Sequence, residues 1–278
     1  MKITEEQENI LNTFKCERLS SDIQNAENIK NFSSDKGHSL VNYLQNFAWN
    51  DDITGALAFY IVKSSENEII LFFSLQCGAL FSPIDEIAIY DNVMRKREIF
   101  LESSNINENT TKITMDNKSK YLEYSYFKNN VKTLIRLNKD KEKEKNKNII
   151  RVDNTYPSIE LVHFCVNDNF KQKWKDYNFI HPVGEVMFWK YITPIIISVQ
   201  NIVGCQYVFL FAADTSDDGS LINYYNISLN FQQINDIATN KPSYDFCCSF
   251  MCQKIDEMKK KKKEYFDNFN LDENDIIA

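Results

Sequence analysis

The sequence lacks three features that would each place it in a familiar functional class. Its three histidines and seven cysteines show no spacing typical of a metal site, so we expect no bound metal. It lacks an excess of basic residues, and the formal net charge of −7 argues against a general nucleic-acid binder. It also lacks an apolar segment after Met1, where the polar run KITEEQENI follows, so no signal peptide is indicated.

The chain does contain enough apolar residues for a folded core. Hydrophobic residues make up 43% of its 278 residues and aromatic residues 13%, which is typical of one large or two small globular domains. The number of cysteines is odd and several lie inside apolar runs, which favours reduced, buried thiols. We therefore expect a cytoplasmic protein.

One stretch has the order strand, turn, helix, strand. An apolar run of strand length covers Ser158–Val166, and a helix-length apolar segment covers Val186–Val203. Gly204 ends that segment, and Cys205–Ala213 is a second strand-like run rich in β-branched and aromatic residues. Two strands joined by a helix at this spacing form a crossover unit with parallel strands. A ligand is then expected at the carboxyl ends of the strands, facing the start of the helix.

The start of that helix suits a phosphate or diphosphate group. The first-turn amides have no intrahelical partners, and the helix dipole adds partial positive charge there. Gly184 in the preceding turn allows close approach of a ligand, and Pro182 is tolerated because its missing N–H would be unpaired anyway. A plain turn before a helix has the same composition, so the pattern alone leaves both interpretations open.

The order of motifs resembles the GNAT superfamily of acetyl-CoA-dependent N-acetyltransferases. In that family a bulged strand leads to a pyrophosphate loop of the pattern Q/R-x-x-G-x-G/A, followed by a helix, a strand and a short helix with a tyrosine before Gly-Phe. Residues 181–186 (HPVGEV) lie over the loop pattern, with His in the first position and Val in the last. Tyr224-Tyr225 and Asn230-Phe231 lie over the tyrosine motif, with Asn for Gly and one extra residue before the Phe.

The resemblance implies a fold, a reaction and a cosubstrate. The fold is α/β, with a central mixed sheet flanked by helices, and the reaction transfers an acetyl group from acetyl-CoA to a primary amine. A bulge in strand Ile159–Val166 would free backbone amides for the pantetheine arm and the thioester oxygen. The implied cofactor-binding residues are Phe164, Cys165 and Val166 on the strand, and His181, Val183, Gly184, Glu185 and Val186 in the loop.

Two residues are the implied catalytic groups. Tyr225 would protonate the departing thiolate, and Tyr224 is the alternative because of the one-residue offset. Glu160 would be the general base, since a carboxylate in an apolar run has a raised pKa if buried; a charge at the solvent end of the strand is the other interpretation.

The histidines have structural interpretations beside the functional ones. His163 lies three residues after Glu160 and points to the opposite face of a regular strand unless a bulge reorients it, which favours a satisfied core histidine. His181 either contacts phosphate or leaves that contact to the backbone amides.

We divide the chain into four segments of one domain. Residues 1–77 are mostly helical to about residue 50, with a weak edge-strand signal near Cys16, and then form a hairpin of Gly55–Lys63 and Glu68–Cys77. Residues 78–155 form a helical and charged insertion whose first helix starts at Ser82-Pro83. Residues 156–232 bind the cofactor, and 233–278 contain a final strand within Tyr244–Ile255 and a charged tail. The helical stripe of the first segment comprises Leu40, Val41, Leu44, Phe47 and Ala48.

Three other interpretations remain open from the sequence. A non-catalytic acyl-CoA-binding or interaction module would explain the divergent loop, and a toxin-type acetyltransferase would act on aminoacyl-tRNA. The uncharged span Tyr191–Ala213 is long enough for a membrane, but its polar residues and Gly204 favour a buried helix followed by a buried strand. We expect Pro194 to kink that helix, because it removes an N–H and crowds the carbonyl of Lys190. The sequence indicates neither the acceptor nor the oligomeric state.

Overall fold

The computed structural model describes residues 3–83, 152–214, 218–240 and 248–267 of the chain. The chain forms two compact units, one of Met1–Phe81 with Thr155–Ala278 and one of Ser82–Asn154. Most of the second unit lies outside the described residues, and so do the helices predicted between residues 84 and 135 and the charged run 138–148. The following description therefore concerns the first unit.

The described residues contain a six-stranded sheet whose strand order follows the chain order. β4 and β5 run parallel, whereas β1–β2, β2–β3 and β5–β6 are antiparallel pairs. The sheet is therefore mixed, as predicted, and its parallel pair is the crossover unit expected from the sequence. The strands are β1 (Lys15–Arg18), β2 (Ala58–Lys63), β3 (Ile69–Pro83), β4 (Val152–Val166), β5 (Tyr207–Ala212) and β6 (Ser249–Lys254).

Helices cover both faces of this sheet. One apolar cluster joins the sheet to α1, α6 and α8, and a second joins its other face to α3 and α4. This layering places the start of α6 beside the carboxyl end of β4. The helices are α1 (Glu5–Thr13), α2 (Gln24–Asn28), α3 (His38–Asn46), α4 (Ala48–Thr54), α5 (Lys171–Asp176), α6 (Val183–Val203), α7 (Ser220–Ile227) and α8 (Ile255–Asp267).

The predicted hairpin is confirmed, but its second strand is longer than predicted. β3 continues through Ser82 and Pro83, so the helix start predicted there is wrong. β4 likewise begins at Val152, six residues before the predicted strand. The polar and proline-bearing ends of both strands have the composition of a linker, which is why the sequence pattern ended the strands too early.

The predicted stripe on the first helices is interrupted. α3 ends before Phe47 and α4 begins after it, so Leu44 and Ala48 are buried while Phe47 is 53% exposed. The edge strand near Cys16 is confirmed as β1. Between β4 and α6 lies the short helix α5, whose Trp174 is buried.

The long apolar helix α6 starts three residues earlier than predicted and ends as predicted at Gly204, whose φ of 72° is left-handed. A π-helical segment, Phe188–Ile192, precedes Pro194. A proline cannot donate to the preceding turn and crowds its carbonyl groups. The wider π turn beside Pro194 is therefore how the helix accommodates this proline.

α6 is also long and apolar enough to cross a membrane by length and composition. Its buried side chains lie in the core cluster shared with the sheet, which favours a core helix. The buried residues of this helix include Val186, Met187, Phe188, Trp189, Ile192 and Ile196.

Candidate active site

The strand β4 carries one more residue than its neighbour β3 in the region of Glu160. Gln76 donates to Glu160 over 2.7 Å, and the Ser74 hydroxyl lies 2.7 Å from Nδ1 of His163. The contacting residues are thus two positions apart on β3 but three positions apart on β4. An extra residue that leaves both side chains on one face is a β-bulge. Glu160 and His163 therefore share a face, contrary to the alternation of a regular strand.

The parallel strands β4 and β5 separate at the same level. Their ladder contains three residue pairs and ends at Glu160 and Phe209. β4 continues to Val166, while β5 continues to Ala212 in pairing with β6 only, as far as the described residues show. Because a bulge bends its strand, the divergence follows from the extra residue on β4. The carboxyl halves of the two strands are therefore not paired with each other, and we call the region between them the gap.

The first turn of α6 faces the end of β4. A Cβ atom on Gly184 would lie 3.4 Å from Cζ of Phe164, 3.3 Å from Cγ2 of Val166 and 2.8 Å from the hydroxyl oxygen of Tyr224. A side chain at this position would therefore crowd the Tyr224 hydroxyl and the end of β4, which would have to move. This contact brings together three elements that the sequence placed in one site: the strand end, the helix start and the tyrosine helix.

The amides at this helix start differ in availability. Within the described part of the chain, those of Val183, Gly184 and Glu185 have no hydrogen-bond partner. The amide of Val186 donates to the Pro182 carbonyl over 3.2 Å, so it is not open to a ligand although the sequence placed it in the site. Pro182 itself is exposed, whereas Val183, Gly184 and Glu185 are buried.

The loop before α6 is fixed by aromatic contacts. The ring of Phe179 stacks on Trp174 at a centroid distance of 4.0 Å, and Nε1 of Trp174 donates to the His181 carbonyl over 3.0 Å. The imidazole of His181 is engaged elsewhere, with Nδ1 3.1 Å from a carboxylate oxygen of Glu185. This arrangement favours the interpretation in which backbone amides, and not the His181 ring, contact a phosphate.

Glu185 places a buried carboxylate in this first turn, which would repel an anion if it faced one. It is instead held from both sides, by His181 and by the hydroxyl of Tyr265 on α8. Burial and then the charge of Glu185 raise the pKa of Tyr265, so the phenol stays protonated. The carboxylate is thus engaged by His181 and Tyr265, and its charge also contributes to the raised pKa of Tyr224.

The helix α7 is held in place by an aspartate that the sequence reasoning missed. One carboxylate oxygen of Asp214, just after β5, accepts from the amides of Leu221 (2.9 Å) and Ile222 (3.0 Å). These two hydrogen bonds satisfy backbone amides in the first turn of α7 and fix the direction of that helix. An aspartate a few residues before a short apolar helix is the signal that could have identified it.

The departures from the family motif after α7 have a structural account. Asn230 adopts a φ of 62°, the left-handed region in which asparagine is the usual substitute for glycine. The extra residue before Phe231 lies in a wide turn between Tyr225 and Phe231. The amide of Phe231 closes this turn by donating to the Tyr225 carbonyl over 2.9 Å.

The two tyrosines of α7 are half-buried and pack against the apolar cluster shared with α6. The hydroxyl of Tyr224 lies at Gly184, and the ring of Tyr225 lies 6.2 Å from that of Phe231. Burial raises the pKa of both phenols, with smaller contributions from Tyr225 and Glu185 on Tyr224 and from Cys165 on Tyr225. Burial also raises the pKa of the Cys165 thiol. All three groups are therefore protonated at neutral pH.

On the opposite face, the surroundings of His163 are those of a core residue. Its ring lies 4.7 Å from that of Tyr43 and 5.3 Å from that of Phe59, and Ser74 satisfies one ring nitrogen. Burial lowers the pKa of His163 to about 4 and outweighs the nearby carboxylate of Asp51. The imidazole is neutral at physiological pH, which supports the structural interpretation of this histidine.

Glu160 is 8% exposed and accepts a hydrogen bond from Gln76. Gln76 was missed by the sequence reasoning, because its partner lies 84 residues away in the chain. No group of three or more possible metal ligands occurs within the described residues.

We predict that Gly184→Ala destabilises the protein, although Gly→Ala in a helix ordinarily stabilises it by up to about 1 kcal/mol. The new methyl group would meet the Tyr224 hydroxyl at 2.8 Å, and such overpacking costs about 1–3 kcal/mol. Tyr224→Phe removes that oxygen, so the double variant should recover part of the loss in urea unfolding. A stabilised Gly184→Ala protein would contradict this packing.

We also predict a pH dependence of stability from His163. The unfolded histidine binds a proton near pH 6.5 and the folded one only near pH 4. The unfolded state therefore binds more protons in this window, and the free energy of unfolding falls by about 3 kcal/mol as the pH is lowered through it. His163→Gln should show a shallower decline in urea titrations at successive pH values. Equal slopes for both proteins would refute a depressed pKa at this residue.

A scan against protein-family models and a search of curated proteins both found no match. Among solved structures, a tyrosine-to-phenylalanine mutant of the toxin AtaT bound to the C-terminus of the antitoxin AtaR and acetyl-CoA has a TM-score of 0.48 and 10% identity, over 90% of this chain and 98% of that chain. A tyrosine-to-phenylalanine mutant of KacT has a TM-score of 0.48 and 10% identity, over 90% of this chain and 99% of that chain. AtaT complexed with acetyl-methionyl-tRNAfMet has a TM-score of 0.46 and 11% identity, over 89% and 98%. A likeness at this level assigns no activity to this chain.

Proposed function

We propose that this chain is an N-acetyltransferase that transfers an acetyl group from acetyl-CoA to a primary amine. The observation that carries the proposal is the gap that opens where β4 and β5 diverge after Glu160 and Phe209. The first turn of α6 and the Tyr224 hydroxyl lie beside the end of β4 at this gap. A gap in a parallel pair beside a helix start is a place where a ligand can lie between strands and meet backbone donors at once.

The residues at the gap fit coenzyme A. Three unpaired first-turn amides, Val183 to Glu185, offer donors to a diphosphate, and the helix dipole favours its charge. The Glu185 carboxylate is directed toward Tyr265 and His181, so it does not compete for those amides. When bound, acetyl-CoA supplies a thioester, whose acyl carbon is the electrophile.

Glu160 and Tyr225 have the protonation chemistry that acyl transfer needs. Glu160, oriented by Gln76, is proposed to take the proton from the amine as the nitrogen bonds to the acyl carbon. Tyr225, kept protonated by its raised pKa, is proposed to give a proton to the sulfur as the carbon–sulfur bond breaks. The amides of Phe164 to Val166, just beyond the bulge, are the proposed donors to the carbonyl oxygen.

The proposed acceptor is an amine of unspecified identity, and the expectation that nucleic acid is not a partner stays a prediction. A toxin-type enzyme acting on aminoacyl-tRNA and a non-catalytic acyl-CoA-binding module are the alternatives. Six cysteines of the described residues carry free thiols, which supports the proposed cytoplasmic location.

We predict that Tyr225→Phe lowers turnover by about 10²–10⁴-fold with little loss of acetyl-CoA affinity, because it removes an acid and leaves the amides of α6 in place. Activity is followed as thiol release with a panel of primary amines and aminoacyl-tRNA. Tyr207→Phe, which changes a buried tyrosine on β5 at the opposite end of the ladder, is the matched control. An unchanged turnover in Tyr225→Phe would exclude the assigned role.

Binding separates the alternatives independently of turnover. Acetyl-CoA at a hundredfold excess over its Kd should stabilise the wild-type protein by about 2.7 kcal/mol and raise the Tm accordingly. A raised Tm without thiol release with any acceptor would favour the binding module. No shift at saturating acetyl-CoA would refute the proposed function.

A further inference from the structure

Beyond the bulge, β3 and β4 are again in step with each other. The Ser74 hydroxyl lies 2.7 Å from Nδ1 of His163, and the amide of Asn167 donates to the Ile70 carbonyl over 2.9 Å. These two contacts are four positions apart on each strand. The register that begins at His163 therefore continues unchanged to the end of β4.

The extra residue of the bulge can be identified from its neighbours. Between the contacts of Glu160 and His163 lie two residues of β4 but one residue of β3, Leu75. Leu75 and Leu161 belong to the apolar cluster shared with α6, whereas Val162 packs against the cluster of α3 and α4. Val162 is therefore the extra residue, and it lies on the same face of the sheet as His163.

Two buried hydrogen bonds hold this register, one on each side of Val162. A strand without the extra residue would turn either Glu160 or His163 toward α6, because a slip by one residue moves side chains to the other face. The bond of Gln76 with Glu160 opposes that slip on one side, and the bond of Ser74 with His163 opposes it on the other. Ser74 is fully buried and His163 is 9% exposed, so loss of their bond would leave a buried polar atom unsatisfied.

We propose, resting on the function proposed above, that Ser74 and His163 are positioning residues, whose hydrogen bond holds β4 in the bulged register that presents Glu160 to the acceptor amine. Neither side chain touches the reacting atoms. Within that register, Gln76 orients the carboxylate of Glu160. His163 therefore serves the reaction through the backbone, as a neutral residue of the core.

The experiment is a double-mutant cycle of Ser74→Ala and Glu160→Gln in the full-length protein, followed as the single-turnover rate of thiol release with acetyl-CoA and the panel of acceptors. We expect Ser74→Ala to lower the rate about tenfold or more, since a displacement of about 1 Å can cost about 10²-fold. In the Glu160→Gln protein the same change should cost less than about twofold, because a residue that acts through Glu160 has nothing left to position.

Two further variants control for a general loss of stability. Val62→Ala on β2 shortens a fully buried side chain away from the bulge. It should lower the rate by less than about threefold, and by the same factor with and without Glu160→Gln. Ser74→Cys keeps a weaker hydrogen-bonding group and should give an intermediate loss, which tests the role even if Ser74→Ala does not fold.

The strand register is measured independently of turnover, from nuclear Overhauser contacts between β3 and β4. In Ser74→Ala the contact of Gln76 with Glu160 should weaken, while the contacts between β2 and β3 stay. An unchanged rate, an unchanged register, or an equal loss of rate in the Glu160→Gln protein would each overturn the positioning role alone. If the wild-type protein neither binds acetyl-CoA nor releases thiol, the proposed function fails and the positioning role fails with it.

Discussion

One extra residue in β4 determines how the site is built. Between Glu160 and His163 the strand gains a residue relative to β3, and its ladder with β5 ends at that level. Because strands that share a ladder leave no room for a ligand between them, the site depends on this break in pairing. The bulge also turns Glu160 and His163 to one face, so a single local change sets both the gap and its flanking carboxylate.

The elements around the gap are held by contacts distant in sequence. Trp174 holds the loop before α6, and Asp214 holds the start of α7. Tyr265 on α8 forms a hydrogen bond with the carboxylate of Glu185. Each of these contacts satisfies a polar group that would otherwise be buried without a partner. They leave the first-turn amides of α6 and the tyrosine hydroxyls as the unpaired donors of this region, within the described residues.

The sequence predicted the type and order of the helices and strands better than their lengths and contacts. The crossover unit, the hairpin and the glycine at the end of α6 follow from hydrophobic period and turn residues, which are local signals. The lengths of β3 and β4 did not follow, because pairing extends them through polar residues such as Ser82. The break between α3 and α4 at Phe47 was not predicted either, since a helical pattern of apolar residues does not reveal where the chain turns.

For the site, sequence identified the residue types but not their partners. The helix start at Gly184 and the tyrosines of α7 were expected, whereas the pairing of His181 with Glu185 and of Gln76 with Glu160 requires the folded backbone. The same holds for the contact between Tyr224 and Gly184, which joins residues 40 positions apart only because α7 returns to the start of α6.

The most direct test of the account is amide hydrogen exchange of Val183, Gly184 and Glu185, resolved by nuclear magnetic resonance with and without saturating acetyl-CoA. The account predicts that these three amides become protected when the ligand binds, while amides of α3 and α4 on the other face of the sheet keep their rates. Unchanged exchange at the three amides in protein that has demonstrably bound acetyl-CoA would contradict it, since the ligand would then lie elsewhere.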